Sequence, residues 1–260
     1  MSLSQGPGGK VYVLDQINSR IVRHKPDGSV EGVSEMKLIG AQDLAVGKDG
    51  SMAVLDRVVD KTIALYDPSG NIRAQLPLEG EGIDEPGYVT GVFIDGNDVL
   101  VEREHGSLVK IGDINGIPAE PRTETPGRPS RDGSFWLKGG ITDGPGGRAY
   151  VSAVDRQSGD HRFTRQIRFK SEIHSILLLD TDKKGTIYFA VELHEDPAVD
   201  YVMLQCLEPQ KGTTTGSAML PVNTMPEETF RDMTVLDDGG VVYAIRSDAG
   251  VSYKRFDCGN

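Results

Sequence analysis

The side chains that could do chemistry in this sequence are its histidines and a set of carboxylates that close short apolar runs. His105, His161, His174 and His194 fall in acid-rich stretches, the last three near Asp155, Asp160, Glu192, Glu195 and Asp196. Imidazole nitrogens joined by carboxylate oxygens are a donor set for Zn²⁺ or a similar divalent cation. No HExxH pair places such donors on one helix face, and solvation is the ordinary state of a loop histidine. Asp15, Asp56, Glu102, Asp155 and Glu192 each end an apolar run. A carboxylate there accepts N–H groups of the following turn or, as one of a ring, attracts a cation. Asp180-Thr181-Asp182-Lys183-Lys184-Gly185 starts like a calcium loop, but Lys184 stands where a ligand is needed and Val191 where the loop should end on Glu. The Gly-rich run at 6–10 lacks phosphate-loop spacing, and there is no GxSxG elbow.

These residues are carried by a repeat of strands and turns. Leu44-Ala45-Val46 leads into the turn Gly47-Lys48-Asp49-Gly50, then come Met52–Leu55, Asp56, a loop, Ile63–Tyr66 and the turn Asp67-Pro68-Ser69-Gly70. The same order recurs in six repeats whose turn glycines are Gly9, Gly50, Gly96, Gly147, Gly185 and Gly240, roughly 40–55 residues apart. A period in that range, with three or four strands per repeat, is propeller spacing. A lone repeat would expose an apolar face, which stacking on its neighbours buries. The fold class expected is all-β, a six-bladed β-propeller. The first repeat begins at its turn, so its inner strand is missing or made by Met1–Gln5, and the ring is expected to close with strands from both termini. Gly116–Asp132 reads as a surface loop with room for a short outer strand, and Ala218–Val222 as an outer edge strand where Pro221 is tolerable.

Val11-Tyr12-Val13-Leu14-Asp15-x-x-Asn18-x-Arg20-Ile21, followed by Pro26-x-Gly28, resembles the signature of NHL repeats. The resemblance extends over the whole chain, more loosely in the third to sixth repeats. It implies a six-bladed propeller, in a family that contains RNA binders, a copper- and zinc-dependent peptide lyase and protein-interaction modules. The lyase branch uses axial histidines from several blades, and only His174 here occupies a comparable place, which argues against carrying over its metal centre. Six-bladed lactonases, similar in architecture, hold a calcium on Glu, Asn and Asp ligands whose motif surroundings do not occur here.

In a propeller the inner strand starts at the top face, near the channel mouth. That places Gln42, Asp43, Thr90, Lys138, His174, Arg231 and Asp232 there, with Trp136 just before Lys138. The loops after the second strands return to the same face, with Asp15, Asp56, Glu102, Asp155, Glu192 and His105, His161 and His194. Arg231 beside Asp43 and Asp232 makes an ion-pair network or orients an anionic ligand group. Trp136 packs between blades or offers a stacking platform. The ligand-binding candidates are therefore Gln42, Asp43, Thr90, Trp136, His174, Arg231 and Asp232, with His161, His174 and His194 as weaker metal candidates.

The chain is 260 residues long with net charge −11, 32 glycines and 14 prolines. This length suits one propeller domain, and the turn-residue content speaks against a helical protein. The acidic balance speaks against a nucleic-acid partner and is compatible with a cationic ligand or a basic protein. No apolar run is long enough to insert in a membrane, and Met1–Gly9 lacks the features of a signal peptide. The opening Met-Ser-Leu-Ser reads as a start placed on a trimmed chain, which slightly favours an exported, extracytoplasmic protein. Cys206 and Cys258 are either free thiols or one disulfide. The functional expectation is a monomeric module that binds a protein or a small molecule through its top face, without catalysis or cofactor. The alternative is a metal-dependent hydrolase or lyase with a cation on the channel axis. A third reading is a purely structural module of a larger exported protein.

Overall fold

The computed structural model describes residues 1–103, 106–195, 199–223 and 230–259. The fold is all-β, a six-bladed β-propeller of antiparallel sheets. The chain divides into two compact units, Met1–Thr125 with Glu228–Arg231, and Pro126–Glu227 with Asp232–Asn260. His105 and Asp196, both considered above as donors, lie outside the described residues.

The first unit holds three sheets. Sheet one is β1 (Ser2–Gln5), β2 (Val11–Asp15), β3 (Arg20–His24) and β4 (Val30–Glu35). Sheet two is β5 (Asp43–Val46), β6 (Met52–Asp56), β7 (Thr62–Tyr66) and β8 (Ile72–Pro77). Sheet three is β9 (Val89–Asp95), β10 (Asp98–Arg103), β11 (Leu108–Asp113) and β12 (Pro118–Thr125). Every residue of β6 is buried because successive side chains go to opposite sides. Met52 and Val54 join the core shared with Tyr12, Leu14 and Ile21, while Ala53 and Leu55 join the core shared with Val92, Val99 and Val101. A strand covered on both faces reads as a continuous apolar run, and the outer strands β4 and β8 are mostly exposed.

The second unit repeats the plan. Its sheets are β13 (Arg128–Pro129), β14 (Phe135–Asp143), β15 (Arg148–Asp155) and β16 (His161–Arg168); β17 (Glu172–Thr181), β18 (Ile187–Glu195), β19 (Val199–Leu207) and β20 (Thr214–Leu220); and β21 (Met233–Val235), β22 (Val241–Ser247) and β23 (Gly250–Phe256). Along β18, Ile187, Phe189, Val191 and Leu193 pack toward Phe135 and Leu137, while Tyr188 and Ala190 pack toward Met233 and Tyr243.

Contrary to the expected closure, no sheet among the described residues mixes strands from the two ends of the chain. Ser2–Gln5 supplies the inner strand of sheet one by pairing with Val11–Leu14. It meets the later chain at Arg231, through the parallel Ser2–Arg231 bridge and the Leu3 N–H to Arg231 C=O bond of 2.8 Å.

The fourth repeat needs a one-strand correction. Its inner turn is Ser130–Ser134, with Gly133 at φ 75°, and not the turn ending at Gly147. Gly133 N–H bonds Ser130 C=O and Asp132 accepts Ser134 N–H, as Gly50 bonds Gly47 and Asp49 accepts Ser51 N–H. Gly147 instead accepts Phe169 N–H, the place held by Ser19 for Met36 and by Lys61 for Leu78. The glycines at 144–147 outweigh a single Asp-Gly in sequence, and β13 has only two residues, too few for a period to show. Lys138 is therefore mid-strand opposite Ser152, not at the start of an inner strand.

Cys206 and Cys258 form a disulfide across a sequence separation of 52, fastening the tail after β23 beside the Ser217–Gly259 bridge. Loop closure of this length is worth about 4 kcal/mol in the chain-entropy account. The double change Cys206→Ser/Cys258→Ser is expected to lower urea-unfolding stability by that order, with new proteolysis after Phe256. An unchanged midpoint would show that the tail contributes nothing to the fold.

Candidate functional site

In the first unit, the residues at the inner-strand starts meet in one polar network. Asp43 opens β5 and is 1% exposed. Its Oδ1 accepts the Ser2 hydroxyl at 2.5 Å, and its Oδ2 accepts Val92 N–H at 2.9 Å and Arg231 Nη2–H at 2.8 Å. Arg231 also donates to Val92 C=O at 3.2 Å and lies 4.9 Å over the Phe93 ring. Arg231 and Asp43 thus form the network reading rather than an open anion clamp. One buried carboxylate ties β1, β5, β9 and the chain at 231 together.

Gln42 and Thr90 flank this clamp. Gln42 Oε1 accepts Arg57 N–H at 3.1 Å. Arg57 Nη1 donates to Gly87 C=O and Val89 C=O, both at 3.1 Å, and its guanidinium stacks on Phe230 at 4.6 Å. Thr90 is exposed, and its hydroxyl reaches Glu102 C=O and Oε2 at 3.4 and 3.3 Å. Asp56 is fully buried; Oδ1 accepts the N–H groups of Val58 and Val59, and Oδ2 meets no hydrogen-bond partner among the described residues. A Cβ at Gly40 would lie 2.6 Å from that oxygen, so only glycine fits there. Ser2 and Arg57 escaped sequence reasoning. Neither type is distinctive, and both act through partners far away in the chain.

In the second unit, Asp232 is 8% exposed and accepts Asn223 Nδ2–H at 3.1 Å. Asn223 also donates to Ala244 C=O and accepts Arg246 N–H, so it latches β22 to the residue before β21. Burial pushes the Asp232 carboxyl above the usual range, against the pull of Asn223 and Arg246. Burial likewise pushes the Tyr243 phenol up, helped by the charges of Asp232 and Glu192. Asn223 too was missed, since its role appears only once Asp232 and Arg246 are beside it.

The histidines divide. The rings of His174 and His194 stack with centroids 5.1 Å apart, and His194 Nδ1 lies 2.7 Å from Asp200 Oδ1. His161 does not join them. Its turn lies beside Ser134, which accepts Arg156 N–H and Arg162 Nη2–H, whereas β17 begins beside Gly144, which accepts Ile173 N–H. These are opposite ends of β14. Trp136 lies toward the His161 end, half-buried under Arg156 at 4.4 Å, so the corrected repeat removes it from the company of His174. Asp155 is also at that end, where the Ser158 N–H and Arg162 hold its carboxyl down at about 2. Among the described residues, no three His, Cys, Asp or Glu side chains are grouped to hold a metal ion.

No protein-family profile and no curated protein matches this sequence. Solved structures do match. A DUF4221 family member from Bacteroides vulgatus aligns at TM-score 0.57 with 9% identity, over 99% of this chain and 93% of its own. A streptogramin B lyase aligns at 0.53 with 11% identity, over 97% and 93%. The calcium-binding protein regucalcin from Agrobacterium tumefaciens aligns at 0.51 with 13% identity, over 99% and 89%. At such identities the likeness is one of fold.

Removing the Asp43 carboxylate strands a partly buried guanidinium and two donors, so Asp43→Ala is expected to cost about 3 kcal/mol or more in urea unfolding. The two perturbed acids predict opposite pH effects. The contribution of Asp232 is present below its unfolded value of about 3.9 and lost as pH rises through its higher folded value. Asp232→Asn should therefore gain on the parent protein as pH rises from about 3 to 7. The contribution of Asp155 is present above about 3.9 and lost as pH falls toward its folded value, so Asp155→Asn should lose its disadvantage in acid. Denaturation midpoints across pH check both signs.

Proposed function

We propose that this chain is an NHL-like binding propeller that engages a protein or small-molecule ligand through the loops at its inner-strand starts, without catalysis and without a resident cofactor. The observation that carries this reading is the use to which the acids are put. Asp15, Asp43, Asp56 and Asp155 all accept hydrogen bonds from their own chain, from turn N–H groups or from Ser and Arg side chains. Carboxylates spent in this way stiffen loops for contact. In the first unit Thr90 is exposed for direct contact, while Gln42, Asp43 and Arg231 keep the surrounding backbone in place. In the second unit His174 is exposed for contact and Asp232 is buried, while Trp136 lies toward the other end of β14 and drops out of the set. The disulfide supports an extracytoplasmic location, where such bonds persist. The protein acts as a monomer on this reading, away from nucleic acid and outside the bilayer.

One observation favours the alternative of a hydrolase or lyase. Asp232 is a buried acid with raised proton affinity beside Glu192, Arg246 and Tyr243, the kind of environment that tunes a general acid. Thr90→Ala and His174→Ala should each weaken a captured ligand about tenfold, with turnover of lactone and ester panels absent before and after chelation. Turnover that disappears together with a stoichiometric metal, or with Asp232→Asn, would replace the binding reading by the enzymatic one.

A further inference from the structure

Within the first unit, exposed apolar side chains gather on four loops at one end of the sheets. Ile17 lies between β2 and β3, Ile39 between β4 and β5, Val58 and Val59 between β6 and β7, and Tyr88 just before β9. Their exposures are 81, 88, 60, 55 and 62%. The Met36–Ser19 and Leu78–Lys61 backbone bonds place each strand exit beside the neighbouring loop, so these positions share one end.

The loops are also fastened to one another. Gln16 Nε2 donates to Ala41 C=O at 2.7 Å, Gln42 takes Arg57 N–H, and Arg57 reaches Gly87 and Val89. Each exposed apolar residue sits within two positions of a residue in this belt. Ordinary loops of a soluble protein carry polar tips, and single exposed apolar residues need no explanation. Five on a hydrogen-bonded belt form a preorganised apolar surface, which marks an interaction site.

Charge selects the occupant. The same loops expose Asp60, Glu79, Glu81, Asp84 and Glu85 against Lys37 and Lys61. The guanidiniums of Arg57, Arg103 and Arg122 point into the loops, on the carbonyls of Gly87 and Val89, of Gly82, and of Pro77, Leu78 and Glu79. An acidic rim around apolar anchors repels an anionic lipid surface and attracts Lys and Arg. We propose that this surface docks a partner protein through a segment whose apolar side chains are flanked by Lys and Arg. This rests on the binding reading above and names its partner class. Ile39, Val58 and Val59 insert among the partner's apolar groups, and the acidic loop speeds encounter and sets orientation.

The test uses the full chain and a synthetic amphipathic Leu/Lys peptide, with versions carrying Glu for Lys and Ser for Leu, read by fluorescence anisotropy. The Leu/Lys peptide should bind, and both altered peptides should lose at least about tenfold in affinity. Ile39→Ser/Val58→Ser should cause a similar loss with unchanged circular dichroism, and Glu79→Lys/Glu85→Lys should remove most of the salt dependence. Equal binding by these variants would overturn the proposal. So would binding of phosphatidylserine vesicles lost in the Ser variant, or self-association in sedimentation abolished by it. If the Ser variant binds the peptide normally while Thr90→Ala does not, this surface is wrong and the broader binding reading stands. If no peptide or ligand binds, both fall.

Discussion

A single carboxylate with three donors, contributed by β1, by β9 and by the chain at 231, is the contact on which the first unit depends. Burying a lone charge is costly, and Asp43 is tolerated because its oxygens are met by a hydroxyl, an amide and a guanidinium. The energy gained is modest beside that of the apolar cores. What the clamp adds is register. Apolar burial is non-directional, and a hydrogen-bonded ion pair adds a directional constraint on the strands it joins. Arg231 is itself held between Asp43, Val92 C=O and Phe93.

Polar loop chemistry then builds outward from the clamp. Gln42 is next to Asp43, Arg57 is next to the buried Asp56, and their bond couples two adjoining loops. Gly40 is needed because the Asp56 carboxylate leaves no room for a side chain. The acids of these loops hold amides, and the apolar residues carried by the same loops face solvent. In the second unit Asn223 does comparable work, joining Asp232, Ala244 and Arg246 through one amide group. The His174–His194 stack remains open to solvent at the start of β17, away from His161.

Much of the fold was legible because its signals are local. Asp-x-Gly turns, period-two strands and doubly buried runs such as Met52–Asp56 depend on neighbours a few residues away. The fourth sheet shows the limit. Two glycine turns, at 130–134 and 144–147, competed for one position, and only the long strands β14 and β15 with their cross-bonds decide between them. With the inner turn at 130–134, Trp136 and His161 lie at the opposite end of β14 from the start of β17. For the candidate site, Asp43 and Arg231 could be named from their place before an inner strand, but Ser2 and Asn223 could not. Serine and asparagine occur in every loop, and only a partner brought near by folding distinguishes one from another.

The amino-acid sequence by itself determined the all-β class, the six-fold repeat and the turn chemistry, because hydrophobic period and turn geometry act over a handful of residues. Tertiary structure decided which oxygen meets which donor, which thiols join and which end of a sheet a histidine occupies. Those outcomes depend on distances between residues such as Asp43 and Arg231 or Cys206 and Cys258, which no local pattern encodes.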